Sequence, residues 1–147
     1  MCGSLETMDH IMLQCKASGQ ETIWSLAKEL WLRKGLPWPT LSIGSILSCG
    51  IADFRTNQNS KHEGMNCLFT VVMSESLYLI WKLRCKWKIQ KDSNPQALHS
   101  RTEITNRWLH AINLRLRFDC LLTNRKRYGP KAHSVAVVCR TWAHAPQ

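Results

Sequence analysis

Apolar residues recur at intervals of three and four along most of this chain of 147 residues, and this spacing constrains the fold more than any other feature. The interval places them on one face of an α-helix, whereas a half-buried strand would alternate apolar and polar residues. Hydrophobic residues make up 44% of the chain and charged residues 20%, which is enough apolar material to bury a core. We therefore predict an all-α fold of about five to six helices, packed as an irregular bundle. Residues 16–147 would form a single helical domain behind a short N-terminal segment, 1–15.

Gly, Pro and capping residues indicate where the helices begin and end. The longest helix is predicted from about Asn66 to Gln90, after an exposed loop around residues 54–65 that is polar and has no period. Before it we predict a helix at 6–15, a second helix that begins with the capping box Ser18-Gly-Gln-Glu21, and a short third helix capped by Thr40 or Ser42. After it we predict a helix that begins with the capping box Ser100-Arg-Thr-Glu103 and a last helix at 132–142.

Positive charge is concentrated in one part of the chain. Lys and Arg number 20 against 10 Asp and Glu, a formal net charge of +10. Residues 80–131 hold thirteen basic residues and three acidic ones, whereas residues 1–79 hold six basic and seven acidic ones. Such an asymmetry favours a polyanionic partner, either nucleic acid or an anionic membrane surface. A solvated helical surface that keeps the protein soluble would also explain it.

Two basic segments are the candidate nucleic-acid contacts, because Lys and Arg neutralise phosphates and aromatic rings stack on unpaired bases. The candidate residues are Lys82, Arg84, Lys86, Trp87, Lys88, Lys91, Arg125, Lys126, Arg127 and Tyr128. Trp81 and Trp87 are equally compatible with a place in the core. The cluster from Arg125 to Arg127 would also suit a helix C-terminus or a weak nuclear-import signal. The Lys and Arg residues of the helix at 76–91 surround it and do not lie on one face, and this distribution argues against binding to a membrane surface.

The sequence predicts no membrane span and no secretory signal. The most apolar stretch, 67–81, is interrupted by Ser74-Glu-Ser76, and a span needs about 20 mostly apolar residues. The N-terminus has neither a basic start nor an apolar run. We expect an intracellular protein, cytoplasmic or nuclear, whose seven cysteines stay largely unpaired. No nucleophile elbow and no phosphate-binding loop occurs, so we expect no catalytic activity.

Cys2, His10 and Cys15 form the pattern Cys-x7-His-x4-Cys near the N-terminus. Thiolate and imidazole are zinc ligands, but a structural zinc site needs four of them. On spacing alone, the three residues are either an incomplete metal site or reduced core cysteines beside a surface histidine.

The segment from Cys2 to Cys15 resembles the end of the zinc-binding domain attached to non-LTR reverse transcriptases. That motif begins Cys-x2-Cys and continues to a His and a final Cys, which Cys2, His10 and Cys15 match from the second Cys onward. The first Cys would fall before Met1. The resemblance implies that the chain is an N-terminally truncated piece of a longer polyprotein, with 1–15 as a remnant of the motif. It also implies that Zn²⁺ would require the missing Cys, and no other cofactor is expected.

Further segments are similar to a region of fungal, mostly basidiomycete, proteins in which it follows reverse transcriptase or ribonuclease H domains. The matching segments include Ile23-Trp24, Gly35-Leu-Pro-Trp-Pro39, Leu79-Ile-Trp-Lys-Leu-Arg-Cys85, Asn106-Arg-Trp108 and Leu122-Thr-Asn-Arg-Lys126. The carboxylates here do not form the cluster that ribonuclease H chemistry requires, and the chain has no Asp-Asp pair for a polymerase. We therefore expect this piece to lack the activities of its parent.

Three functional hypotheses follow. The first is a non-catalytic accessory segment of a retrotransposon-derived protein, which binds RNA or single-stranded DNA with little sequence preference. The second is an interaction module that docks its Trp-rich helices on the reverse transcriptase or ribonuclease H domains of the parent. The third is a degenerate fragment without a selected function.

Overall fold

The computed structural model describes residues 5–55 and 58–143, and within these ranges the chain is helical without a β-strand. The α-helices are α1 (Gln20–Leu32), α2 (Ile43–Leu47), α3 (Glu63–Gln90), α4 (Arg101–Leu122), α5 (Arg125–Tyr128) and α6 (Val135–Trp142). Short 3₁₀ or π-helical turns cover His10–Gln14, Lys16–Ser18, Cys49–Ile51, Pro95–Ala97 and Gly129–Lys131. The prediction of an all-α irregular bundle is confirmed.

Helix α3 lies at the centre of the bundle and packs against α1, α2, α4 and α6. Its buried residues include the consecutive run Val71–Met73 and the pair Leu79–Ile80. Because consecutive residues of a helix point about 100° apart, these runs mean that more than one face of α3 is covered. After Ile80 the buried face narrows to Leu83, Arg84 and Trp87.

Three aromatic rings join α1 to α3 and to the segment before it. Trp31, Phe54 and Phe69 lie with ring centroids 5.0–5.3 Å apart in tilted or edge-on arrangements, which are favourable for aromatic pairs. The predicted exposed loop at 54–65 is therefore wrong at its start, where Phe54 packs against the core. It is also wrong at its end, because α3 begins at Glu63 after His62 Nδ1 accepts a hydrogen bond from the Met65 N–H at 3.3 Å.

Helices α3 and α4 run antiparallel. The turn between them reverses the chain with Asp92 and Ser93 in the left-handed backbone region. The Trp108 Nε1–H then donates to the Ser76 Oγ at 2.9 Å, and both side chains are buried. This bond fixes which residues of the two helices lie side by side.

The predicted capping box at Ser18 is wrong, because Ser18 is buried and its hydroxyl donates to the carbonyls of Ile11 and Cys15 at 3.1 and 2.7 Å. Helix α1 begins instead after Gly19, whose backbone φ is 68°. This left-handed backbone conformation strains residues other than glycine, and a Cβ at Gly19 would also lie 2.5 Å from the Ile104 Cδ1 of α4.

Two other predicted caps are present in the structure. The Ser100 Oγ accepts from the Glu103 N–H at 3.1 Å at the start of α4. Ser42, one of the two candidates for the short helix, forms a reciprocal cap with Ser45. The predicted helix at 6–15 is present in shorter form, helical from Met8 to Gln14 with its π-helical part at His10–Gln14, and the last helix begins at Val135 rather than at 132.

The N-terminal segment shares the core of the rest of the chain. Ile11 and Met12 are buried in it, and the Trp24 Nε1–H donates to the Met12 carbonyl at 2.7 Å. No helix in the described ranges combines the length and apolarity needed to cross a bilayer.

The backbone of helix α6 closely approaches Gly64 of α3, and this contact allows the packing to be tested. A Cβ at Gly64 would lie 2.8 Å from the Arg140 Cβ and 2.9 Å from its carbonyl carbon. We expect Gly64→Ala to lower the free energy of unfolding by about 1–3 kcal/mol, because backbone must move to admit the methyl group. Urea denaturation measures the effect.

The matched control is Gly44→Ala in α2, where the nearest atom to the new Cβ is the Ser42 Oγ at 3.7 Å. That substitution should be neutral or raise stability by about 0.5–1 kcal/mol, as Ala for Gly does in a helix. Equal stability of Gly64→Ala and the unsubstituted protein would contradict the packing of α6.

Candidate nucleic-acid interface

The candidate residues of α3 divide into a surface group and a buried pair. Lys82 and Lys88 are exposed, and Lys86 and Lys91 are half-buried. Arg84 is only 5% exposed and Trp87 only 4%. Both continue the apolar stripe of Ile80 and Leu83 at helical spacing, so they face the core. Their burial removes Arg84 and Trp87 from the surface that a ligand can reach.

Arg84 instead fastens the N-terminal segment to α3. Its guanidinium pairs with the Glu6 carboxylate and lies 5.0 Å from the centre of the Trp87 ring. The Trp87 Nε1–H donates to the Asn94 carbonyl at 2.8 Å, and Lys88 lies 3.2 Å from the same Glu6 oxygen. The hydrogen bond from Lys88 and the charge of Arg84 lower the pKa of Glu6.

The second candidate cluster lies beyond the end of α4. Arg125, Lys126 and Arg127 of α5 are exposed, and the Arg127 guanidinium lies 5.5 Å from the centre of the half-buried Tyr128 ring. The Asn124 side chain caps α5 by accepting from the Arg127 N–H at 3.2 Å. Within the part of the chain that the structure describes, these three cations have no acidic partner.

The structure does not bring the two clusters together. Taking the Ser76–Trp108 hydrogen bond as the reference point, Lys88 lies about 18 Å along α3, from a rise of 1.5 Å per residue. Leu122, the last residue of α4, lies about 21 Å from the same point in the opposite direction, because α4 is antiparallel to α3, and Arg125 begins the next helix three residues later. The clusters therefore occupy opposite ends of the helix pair, about 40 Å apart.

A groove with a volume of about 530 Å³ runs between α3 and α4, and its lining includes Lys82 of the first cluster. Tyr78 and Lys82 line it from α3, and the α4 residues that contribute polar or aromatic groups are Asn106, Arg107, His110, Arg115 and Phe118. The Tyr78 side chain is 60% exposed and Phe118 is 51% exposed. The Lys82 ammonium lies 5.2 Å from the centre of the Tyr78 ring, a cation–π contact.

Arg115 is positioned by an acidic residue that belongs to the core. Its Nε lies 3.4 Å from the Asp119 Oδ1, and the Asp119 Oδ2 accepts from the buried Trp142 Nε1–H at 2.9 Å. Asp119 is buried. This arrangement holds one side of the Arg115 guanidinium while the residue remains exposed on the wall of the groove.

Sequence reasoning missed the groove residues, although part of the signal was present. Tyr78 and Lys82 are four residues apart, and Arg107, His110, Leu114 and Phe118 follow each other at intervals of three or four. Each set marks one helix face. The missing information was tertiary, since only the antiparallel packing places the two faces beside each other.

The proposed zinc ligands do not form a site in the described residues. His10 and Cys15 are buried, and Cys2 lies outside the described ranges. Among residues 5–55 and 58–143, no three or more His, Cys, Asp or Glu side chains are grouped so that they could hold a metal ion. The predicted set of Cys2, His10 and Cys15 thus lies partly outside the described residues, and the proposal below does not use zinc.

No family model, no curated protein and no solved structure matches this chain, so the functional argument depends on the geometry described above.

The Glu6 contacts predict a pH-dependent contribution to stability. A carboxylate with a lowered pKa stabilises the folded state above its unfolded-state pKa, and this contribution is lost as pH falls through the lowered value. We expect Glu6→Gln to lower the melting temperature at about pH 7, because Arg84 then lacks its acidic partner. The difference from the unsubstituted protein should shrink as pH falls below about 4.

Glu29→Gln provides the control, because Glu29 pairs with the exposed Arg33 at 2.9 Å, and exposed pairs contribute little. Equal melting temperatures of Glu6→Gln and Glu29→Gln at both pH values would argue against the role of Glu6.

Proposed function

We propose that this chain binds nucleic acid through its phosphates, with little sequence preference, as a non-catalytic accessory segment. The observation that carries the proposal is the set of basic residues on α3, just after it, on α4, on α5 and on the turn Gly129–Lys131 that form no ion pair with an acidic residue among the described residues. Protein surfaces with such an excess of Lys and Arg attract polyanions, and each phosphate contact gains free energy by releasing counterions.

The ion pairs account for only a minority of the positive charge. Of the thirteen basic residues at 80–131, only Arg84, Lys88, Arg107 and Arg115 form ion pairs with acidic residues among the described residues. The nine cations left without such a pair are Lys82, Lys86, Lys91, Arg101, Arg117, Arg125, Lys126, Arg127 and Lys131. The positive field over this part of the molecule is therefore not cancelled locally.

The distribution of these cations favours a long polyanion over a small anion. A single phosphate or carboxylate requires several donors that converge on one point. Here the two clusters lie about 40 Å apart on the helix pair, so only an extended chain of charges can contact both. Nucleic acid meets that requirement, and contacts to its phosphates carry no sequence preference by themselves.

Docking on other protein domains has less support from the geometry. That hypothesis expects the Trp-rich helices to bury against a partner. Five of the seven tryptophans, Trp24, Trp31, Trp87, Trp108 and Trp142, already lie in the interior of this chain. Trp81 is the tryptophan with the most exposed surface among the described ones.

The salt dependence of binding tests the proposal. We expect the logarithm of the association constant for a single strand to fall linearly with the logarithm of salt concentration. In the triple variant Arg125→Gln, Lys126→Gln, Arg127→Gln, the slope should become smaller by about 2, or about 0.7 per lost phosphate contact. Fluorescence anisotropy of a labelled RNA or DNA strand measures both quantities.

The matched control removes three exposed charges from the N-terminal half, in the triple variant Lys16→Gln, Lys28→Gln, Lys61→Gln. This variant should keep the slope of the unsubstituted protein. The proposal is wrong if no RNA or DNA is retained at about 50 mM salt, where phosphate contacts are strongest. It is equally wrong if both triple variants change the slope by the same amount.

A further inference from the structure

We propose that the groove between α3 and α4 binds unpaired bases of a single strand, with Tyr78 and Phe118 as the rings on which bases stack. The inference rests on the proposed binding of nucleic acid and names the site and the form of the ligand. It is carried by a separate observation, the exposure of two aromatic rings beside cations in one groove.

The two rings are available because the core does not use them. Tyr78 and Phe118 are 60% and 51% exposed, whereas the rings of Trp31 and Trp108 are fully buried. Large apolar side chains exposed within one concave surface indicate a binding site more often than exposed residues scattered singly do. Leu114, which is 43% exposed, adds apolar surface on the same wall of the groove.

The spacing of the rings suits an extended strand. Measured from the Ser76–Trp108 hydrogen bond, Tyr78 and Phe118 lie on opposite sides, about 18 Å apart along the helix axes. This distance is too long for both rings to enclose one base. Each ring would therefore take a different base, with the intervening nucleotides crossing the groove.

Cations line the same groove where a strand would place its phosphates. Lys82 lies against Tyr78, and Arg107 and Arg115 line the groove from α4. The carboxylate in the lining is Glu75. Arg107 and Arg115 each have an acidic neighbour, Glu103 at 2.9 Å and Asp119 at 3.4 Å, that holds the guanidinium in place.

The groove also explains how one ligand can reach both basic clusters. Its lining runs from Lys82, one of the lysines of α3, to Phe118 near the end of α4, so a strand lying in it is directed along the helix pair toward Arg125–Arg127. Stacking on protein rings requires a free base face, which a single strand offers and a duplex keeps inside its own stack. An acidic peptide would match the cations but would leave both rings without a stacking partner.

The test compares a labelled single strand of about 15 thymidines with a hairpin duplex of the same nucleotide number and with heparin, a polyanion without bases. The key variant is Tyr78→Leu, Phe118→Leu, which keeps apolar volume in the groove but removes both rings. We expect its affinity for the single strand to fall at least about tenfold, since each base–ring contact contributes about 1–3 kcal/mol. Heparin affinity should stay within about twofold, because its binding is electrostatic.

Two further variants control the design. Trp81→Leu removes an exposed ring of α3 that does not line the groove, and it should leave the affinity for the single strand unchanged. Tyr78→Phe, Phe118→Tyr keeps both aromatic faces and should also bind as the unsubstituted protein does. Circular dichroism of all variants checks that the helices are intact. We expect them to be intact, because both rings are highly exposed and the core does not depend on them.

The outcomes separate this inference from the proposed function. Unchanged affinity for the single strand in Tyr78→Leu, Phe118→Leu overturns the stacking site, even if the salt dependence persists. Equal losses for the single strand and heparin overturn it too, since bases would then not be involved. Self-association that only the Leu double variant abolishes would assign the groove to a second copy of the chain. If the unsubstituted protein binds neither nucleic acid nor heparin, the proposed function itself has failed.

Discussion

The enclosure of α3 is the constraint on which the rest of the structure depends. Its sequence places apolar residues on more than one face as far as Ile80, so α1, α2, α4 and α6 must all cover it. The turn after Gln90 returns the chain antiparallel, and the buried Trp108–Ser76 hydrogen bond fixes the register of α4 against it. The groove is a consequence of this arrangement, because the exposed margins of two helices packed along their length form its two walls.

The parts of the fold that could be predicted are those that depend on local chemistry. Helical periodicity, the Pro and Gly breaks and the caps at Ser42 and Ser100 act within a few residues of chain, and the structure has them. Ser18 has the same local pattern as Ser100, but its surroundings differ. The close approach of Gly19 to Ile104 buries the turn, and the Ser18 hydroxyl then bonds to carbonyls of the preceding segment. Local sequence carries no information about that approach.

The candidate site likewise has features that the sequence predicts and features that only the packed structure shows. The excess of positive charge is a property of composition and could be read from the sequence. The burial of Arg84 could not, because its acidic partner Glu6 lies 78 residues earlier in the chain. Tyr78 and Phe118 were missed for a related reason. An aromatic residue on a helix is ordinarily a core residue, and only the packed structure distinguishes Trp108, which is inside, from Phe118, which is not.

The separation of the basic clusters decides how they can act. At physiological ionic strength the Debye length is about 8 Å, so charges about 40 Å apart do not add to one field for a small ligand. They can cooperate only through a ligand that touches both, since binding at one end then raises the effective concentration at the other. The groove runs along the helix pair, with Lys82 of the α3 cluster in its lining. In the binding mode that we propose, a strand bound at both ends would lie against Tyr78 and Phe118, where unpaired bases gain contacts that a bare polyanion cannot make.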